Sequence, residues 1–180
     1  MRRRRVIAAA AATAGLAAGC VVAAGVFGAP AASAAQPGPW EPVHSQPYTR
    51  AAGVVCPFAY KADVVRDEER GRTLLTYPDG SPQEQEFTGP LFVRFTNLSS
   101  GASVVRNLGG TAWIVNGTDG SITGHGVGHV AIGILVGNPA STPTGQWVLS
   151  GTFDFTLRAD GTRDFTIERG SAEDLCQTLA

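Results

Sequence analysis

Trp147-Val148-Leu149-Ser150-Gly151-Thr152-Phe153-Asp154-Phe155-Thr156-Leu157 runs into Arg158-Ala159-Asp160-Gly161-Thr162 and returns as Arg163-Asp164-Phe165-Thr166-Ile167. Trp147, Leu149, Phe153, Phe155 and Leu157 share the odd-numbered positions of the first segment, and Phe165 and Ile167 those of the second. A period of two marks strands with one buried face. Because both segments keep their apolar residues at odd numbers, facing residues match only across a loop of odd length. The three residues Ala159-Asp160-Gly161, with the glycine left-handed, meet that condition and pair Phe155 with Phe165.

Working outward, the same grammar recurs. Val54, Cys56, Phe58, Tyr60, Ala62 and Val64 form one alternating face with Lys61 and Asp63 on the other. Tyr77-Pro78-Asp79-Gly80 has the composition of a type I turn, and Phe87, Leu91, Val93 and Phe95 line one side of the strand region that follows it. Asn97-Leu98-Ser99-Ser100-Gly101 and Asn116-Gly117-Thr118-Asp119-Gly120 read as further reversals. The Asn97 and Asn116 glycosylation sequons coincide with those turns, which account for them without a sugar. Strands joined by short turns with no crossover helix predict an all-β, antiparallel meander of seven or eight strands. Closure into a barrel, complete or nearly so, is the expected arrangement because it removes long strand edges; a two-sheet β-sandwich is the alternative. Ser171 followed by Glu173 and Asp174 predicts a short C-terminal helix carrying Cys176.

The other end of the chain is of a different kind. Arg2-Arg3-Arg4-Arg5 precedes the uncharged run from Val6 to Ala29, and Ala32-Ser33-Ala34 supplies a small-x-small cleavage site, so residues 1–34 are expected to be an export signal. An uncleaved membrane anchor and lipidation at Cys20 are the alternatives, the first because the run is long enough to span a bilayer and the second because Gly19-Cys20 ends a partial lipobox. Residues 35–52, with Pro37, Pro39, Pro42 and Pro47 and no periodicity, read as a disordered linker, leaving 53–180 as one domain.

Removal of the signal changes the charge. Of the 14 basic residues four leave with it, so 10 face 15 acidic residues, a net charge of −5. The mature chain has one lysine, Lys61, and no basic run, which argues against binding to nucleic acid or to an anionic membrane. Cys56 and Cys176 are the two cysteines beyond the signal, and in an oxidising compartment they are expected to pair. Closing so long a loop stabilises the fold by on the order of 4 to 5 kcal/mol in the chain-entropy model. Cys56-Pro57-Phe58, Thr96-Asn97-Leu98 before a Ser/Gly turn, Asp160-Gly161 and Asp174-Leu175-Cys176 together resemble the small secreted proteins of unknown function found in actinobacteria. The resemblance spans about residues 53 to 180 and implies no activity and no functional residue.

Candidate chemistry gathers in Gly120 to His129. Gly124, Gly126 and Gly128 fall on one face of a strand, and Thr123, His125, Val127 and His129 on the other. The bare stripe serves one of two ends: it permits curvature or receives a ring from a neighbouring strand, or it opens a cavity for a flat ligand. Gly124, Gly126, Gly128, His125, His129 and Trp113 are therefore the candidate ligand-binding residues. Four strand residues span roughly 13 Å, too far for His125 and His129 to share one ion by themselves. Two separate sites, or ligands from neighbouring strands, are the alternatives; no metal and no cofactor is expected. A histidine beside a carboxylate such as Asp154 would suit acid/base chemistry. Trp113, Trp147 and Phe92 are candidates for a sugar or lipid surface, although large aromatics in such domains are mostly core. Asp67-Glu68-Glu69 reads as a solvated loop. The sequence has no Gly-x-Ser-x-Gly elbow and no Walker lysine, and pairing of Cys56 with Cys176 leaves no free thiol nucleophile; no catalytic residue is assigned. The expected function is non-catalytic binding, outside the cell, of a small apolar ligand or a surface partner. An isomerase-like enzyme and a structural envelope protein are the alternatives.

Overall fold

The structure, a computed structural model, describes residues 36–180. The export signal, its cleavage site and Cys20 lie outside the described residues. The strands are β1 (Glu41–Pro42), β2 (Tyr48–Arg50), β3 (Tyr60–Asp67), β4 (Arg70–Thr76), β5 (Pro82–Gly89), β6 (Leu91–Asn97), β7 (Ser103–Asn107), β8 (Gly110–Asn116), β9 (Ile122–Ile134), β10 (Gly145–Leu157) and β11 (Arg163–Asp174), followed by the single helical turn α1 (Leu175–Thr178). The fold is all-β and every strand pair is antiparallel.

The strands form two sheets. Seven run in the order β1-β4-β5-β8-β9-β10-β11 and four in the order β2-β3-β6-β7. The expected closed barrel is not found: β1 and β11 end one ladder, β2 and β7 the other. The two-sheet alternative is the arrangement present, and a row of glycines accounts for it. Gly89, Gly110, Gly128, Gly151 and Gly170, on β5, β8, β9, β10 and β11, are successive register partners straight across the large sheet. All but Gly110 have positive φ, between 116° and 133°. A β-carbon at Gly128 would lie 2.6 Å from Gly110 Cα, and one at Gly151 or Gly170 would overlap the carbonyl of Arg169 or Ser150. The row is a crease that side chains would hold open.

The crease divides the outer face of the sheet. On one side Ala131, Leu135 and Val148 pack against Tyr60, Ala62, Leu91, Val93 and Phe95 of the small sheet and against Leu175, Cys176 and Leu179. On the other side that face is open, with Trp113 at 40 % and Val127 at 47 % exposure. The inner face carries a second core of Ile132, Ile134, Leu149, Phe153 and Phe155, bordered by Ile114, Phe165 and Ile167.

Three ties hold the sheets together. Cys56 and Cys176 are bonded across 120 residues with their Cα atoms 5.3 Å apart. Arg106 of β7 makes a two-pronged pair with Glu173 of β11, both contacts at 2.6 Å, and this holds the Glu173 carboxyl below its ordinary range. The Asn97 amide donates to Leu179 O at 2.8 Å and is buried, so the first sequon is occupied by a structural contact.

Local chemistry explains the hairpins. The Phe155 and Phe165 pairing and the three-residue loop are as expected, with Arg158 N–H donating to Thr162 O and Gly161 at φ 87°. The same loop joins β4 to β5 at Tyr77–Ser81 and β8 to β9 at Gly117–Ser121. In all three an Asp-Gly-Ser/Thr ending lets the aspartate accept the backbone N–H two residues on.

Three expectations need correction. Residues 36–52 are not a free linker: Glu41 and Pro42 pair with β4, Tyr48 to Arg50 pair with β3, and Trp40 stacks on the Arg72 guanidinium at 4.4 Å. Ser171 is not a helix cap, because β11 stays paired with β10 as far as Asp174, which caps α1 instead. The strand expected from Val54 begins only at Tyr60, after a run of turns.

If the crease depends on bare Cα atoms, Gly151→Ala should cost at least about 3 kcal/mol, combining backbone strain with overlap on the Arg169 carbonyl. Gly53→Ala, also at positive φ but with nothing within 4 Å, should cost only about 1 kcal/mol. Urea denaturation of the two variants checks the difference.

Candidate functional site

Register on the large sheet decides where each candidate residue goes. Gly124 faces Phe155 and Gly126 faces Phe153. Each missing side chain is replaced by the partner's ring, since a β-carbon at either glycine would overlap the phenyl group beside it. Phe153 is only 2 % exposed in consequence. Gly128 belongs to the crease. The stripe thus serves both structural ends, with rings filling the space over Gly124 and Gly126 and backbone the space over Gly128.

Trp113 and His125 are cross-strand partners on the open outer face, stacked with ring centroids 6.1 Å apart and an interplanar angle of 29°. His125 Nδ1 lies 2.9 Å from Asp154 Oδ1 on β10, the carboxylate anticipated for it. The two side chains are 43 % and 51 % exposed, so the pair sits on a surface and not in a cleft. His129 is held apart from them by a 2.8 Å contact between its Nδ1 and Ser150 Oγ. Trp147 is partly buried at the border of the second core, packed on Phe165 at 5.9 Å with its indole N–H donated to Pro143 O.

An apolar concavity lies elsewhere. A cavity of about 320 Å³ opens between the sheets, walled by Ala62 and Val64 of β3, Leu91, Val93 and Phe95 of β6, Leu108, and Val130 and Ala131 of β9. Its rim is polar: Ser45, Gln46, Tyr48 and Glu69. This rim corrects the reading of Asp67-Glu68-Glu69 as a solvated loop. Asp67 accepts the Ser45 N–H at 2.7 Å and the Glu69 N–H at 3.1 Å, while Glu69 accepts the Ser45 hydroxyl at 3.0 Å. Burial is the main influence on Glu69 and raises its carboxyl above the ordinary range, against the lowering effect of the Ser45 hydroxyl. Burial likewise pushes up the Tyr48 phenol, which stays a neutral hydrogen-bonding group at the mouth.

No protein-family model, curated protein or solved structure matches this chain. The two sites therefore stand on their own geometry. The open face offers an aromatic platform and charged groups without walls, and the intersheet cavity offers apolar walls with hydrogen-bonding groups at one end.

The cavity was hidden in the sequence because its walls come from β3, β6 and β9, which are not consecutive. The one local signal was at Glu69, an acid flanked by strands whose inward faces are apolar, and even that needed the partner Ser45 from 24 residues away.

The raised Glu69 carboxyl sets a pH dependence. The folded state keeps the proton where the unfolded chain releases it, so the group favours folding below about pH 4.5 and that contribution is lost as pH rises through the raised value. Glu69→Gln should therefore be at least as stable as the parent at neutral pH and lose its advantage on acidification, as followed by urea denaturation across that range.

Proposed function

We propose that this protein is a secreted, non-catalytic binding protein whose ligand is a small, mainly apolar molecule with one hydrogen-bonding group, held in the cavity between the sheets. The observation that carries the reading is the contrast between the cavity's wall and its rim. Ala62, Val64, Leu91, Val93, Phe95 and Ala131 present no polar side chain, whereas Ser45, Gln46, Tyr48 and Glu69 converge at the mouth. A concave apolar site with a few placed polar groups and a perturbed carboxyl is the form that small-ligand sites take. The volume corresponds to about ten waters at roughly 30 Å³ each, and apolar walls hold water poorly. Each Å² of apolar ligand surface removed from water would contribute about 25 cal/mol.

Secretion rests on the Arg-led N-terminal run and on the disulfide, which persists in oxidising compartments. Among the described residues no helix is long and apolar enough to cross a membrane.

A second reading, an acid/base enzyme built on His125 and Asp154, has the 2.9 Å hydrogen bond it needs. It lacks the enclosure that makes such a pair effective, because both side chains stand on an open sheet. Binding in the cavity is the better supported of the two.

The test fills the cavity. Protein purified from a secreting host should bind the neutral dye N-phenylnaphthylamine saturably, and Ala131→Phe should weaken that binding at least about tenfold, or 1.4 kcal/mol, with the thermal midpoint little changed. Native mass spectrometry of the parent should reveal a co-purified mass that disappears on denaturation. Dye binding that is unaffected by Ala131→Phe, together with a bare mass, would remove the proposal.

A further inference from the structure

The open face of the large sheet brings together three groups that no single stretch of sequence connects. His125 lies on β9, Asp154 on β10 and Glu168 on β11, and one candidate ligand atom from each falls within 4.8 Å of the others. Asp154 pairs in register with His125 on one side and with Thr166 on the other. Regular pairing would leave Glu168 opposite Thr152. Instead Thr152 pairs with Arg169 and Phe153 with Ile167, so Glu168 is the extra residue of a β-bulge and stands beside the His125–Asp154 pair. Bulges characteristically re-aim a side chain in this way.

We propose that His125, Asp154 and Glu168 form a binding site for one divalent transition-metal ion of the zinc class. The donor set is one imidazole nitrogen and two carboxylate oxygens. An imidazole favours zinc-like ions over magnesium or calcium, and three protein ligands leave a coordination position for water or for a donor from a partner. Metal–ligand bonds of about 2.0 to 2.2 Å place tetrahedral ligand atoms roughly 3.4 Å apart. His125 and Asp154, at 2.9 Å, are already that close through a shared proton, which the ion would replace. Glu168 has to close the remaining gap, and as an exposed side chain it is free to change rotamer. Among the described residues, no lysine or arginine forms an ion pair with either carboxylate. The Trp113 ring stacked on His125 limits the orientations of the imidazole and places an indole beside the ion. The site lies on the opposite side of the crease from the apolar cavity, and neither depends on the other.

Zinc chloride titrated into the untagged protein by calorimetry should bind saturably at one ion per chain. His125→Ala and Glu168→Gln should each weaken binding at least about tenfold, and His129→Ala, which changes a neighbouring imidazole bonded to Ser150, should leave it unchanged. Copper(II), whose unpaired electron quenches nearby indoles, should quench emission saturably, and Trp113→Phe should remove most of that quenching. All substitutions are at partly or fully exposed positions on the sheet surface, and unchanged circular dichroism would confirm that the variants are folded. Zinc heats without saturation, zinc affinity that survives His125→Ala, or calcium binding as tight as zinc would each overturn the assignment.

Discussion

Five glycines in register across five strands are the constraint on which the architecture turns. β9 and β10 are each 13 residues long, and a strand of that length has the same face inward along its whole extent unless it bends. At Gly128 and Gly151 it bends, because positive φ and bare Cα atoms allow adjacent backbones to approach where a β-carbon would collide. Beyond the crease the outer face of these strands meets the small sheet; before it the same face meets solvent. One element pair thereby serves two cores and one open surface, and the disulfide and the Arg106–Glu173 pair fix the small sheet over the half it covers.

The two candidate sites follow from that division. Where the sheets face one another, small residues at Ala62 and Ala131 leave an apolar void, and its polar rim is supplied by the N-terminal segment that crosses the mouth. Where the large sheet is uncovered, polar side chains from neighbouring strands align, and a single bulge adds a third ligand-type group to a cross-strand pair. Hydrophobic burial dominates at the first and coordination or hydrogen bonding at the second. They suit different kinds of molecule and sit on separate parts of the fold.

What the sequence disclosed divides along the range of the interactions involved. The Ala159-Asp160-Gly161 loop and the Phe155 and Phe165 pairing were legible because turn chemistry and period-two alternation are local. The pairing of Cys56 with Cys176 followed from counting. The glycine stripe was legible only as a choice of roles, since whether a ring or a void lies over Gly124 depends on the register of β10. The supposed linker was misread because proline content argues against central strands but permits edge pairing, and the partners Arg70 and Arg72 lie some thirty residues away. Sheet closure was beyond local reading, because the pattern that makes a strand says nothing of where a row of glycines will fold it. His125 with Asp154 was foreseen as a chemical possibility; Glu168 was not, because its approach to the pair depends on the register of β11 against β10.

Methyl-resolved NMR of the secreted protein, titrated with N-phenylnaphthylamine, tests the central claim most directly by locating the ligand. The account predicts shifts and intermolecular contacts at Val64, Leu91, Val93 and Val130, with Val115 and Val127 on the open face unmoved. Contacts confined to Val115 and Val127, or no contact at the methyl groups of those four cavity residues at saturation, would contradict it.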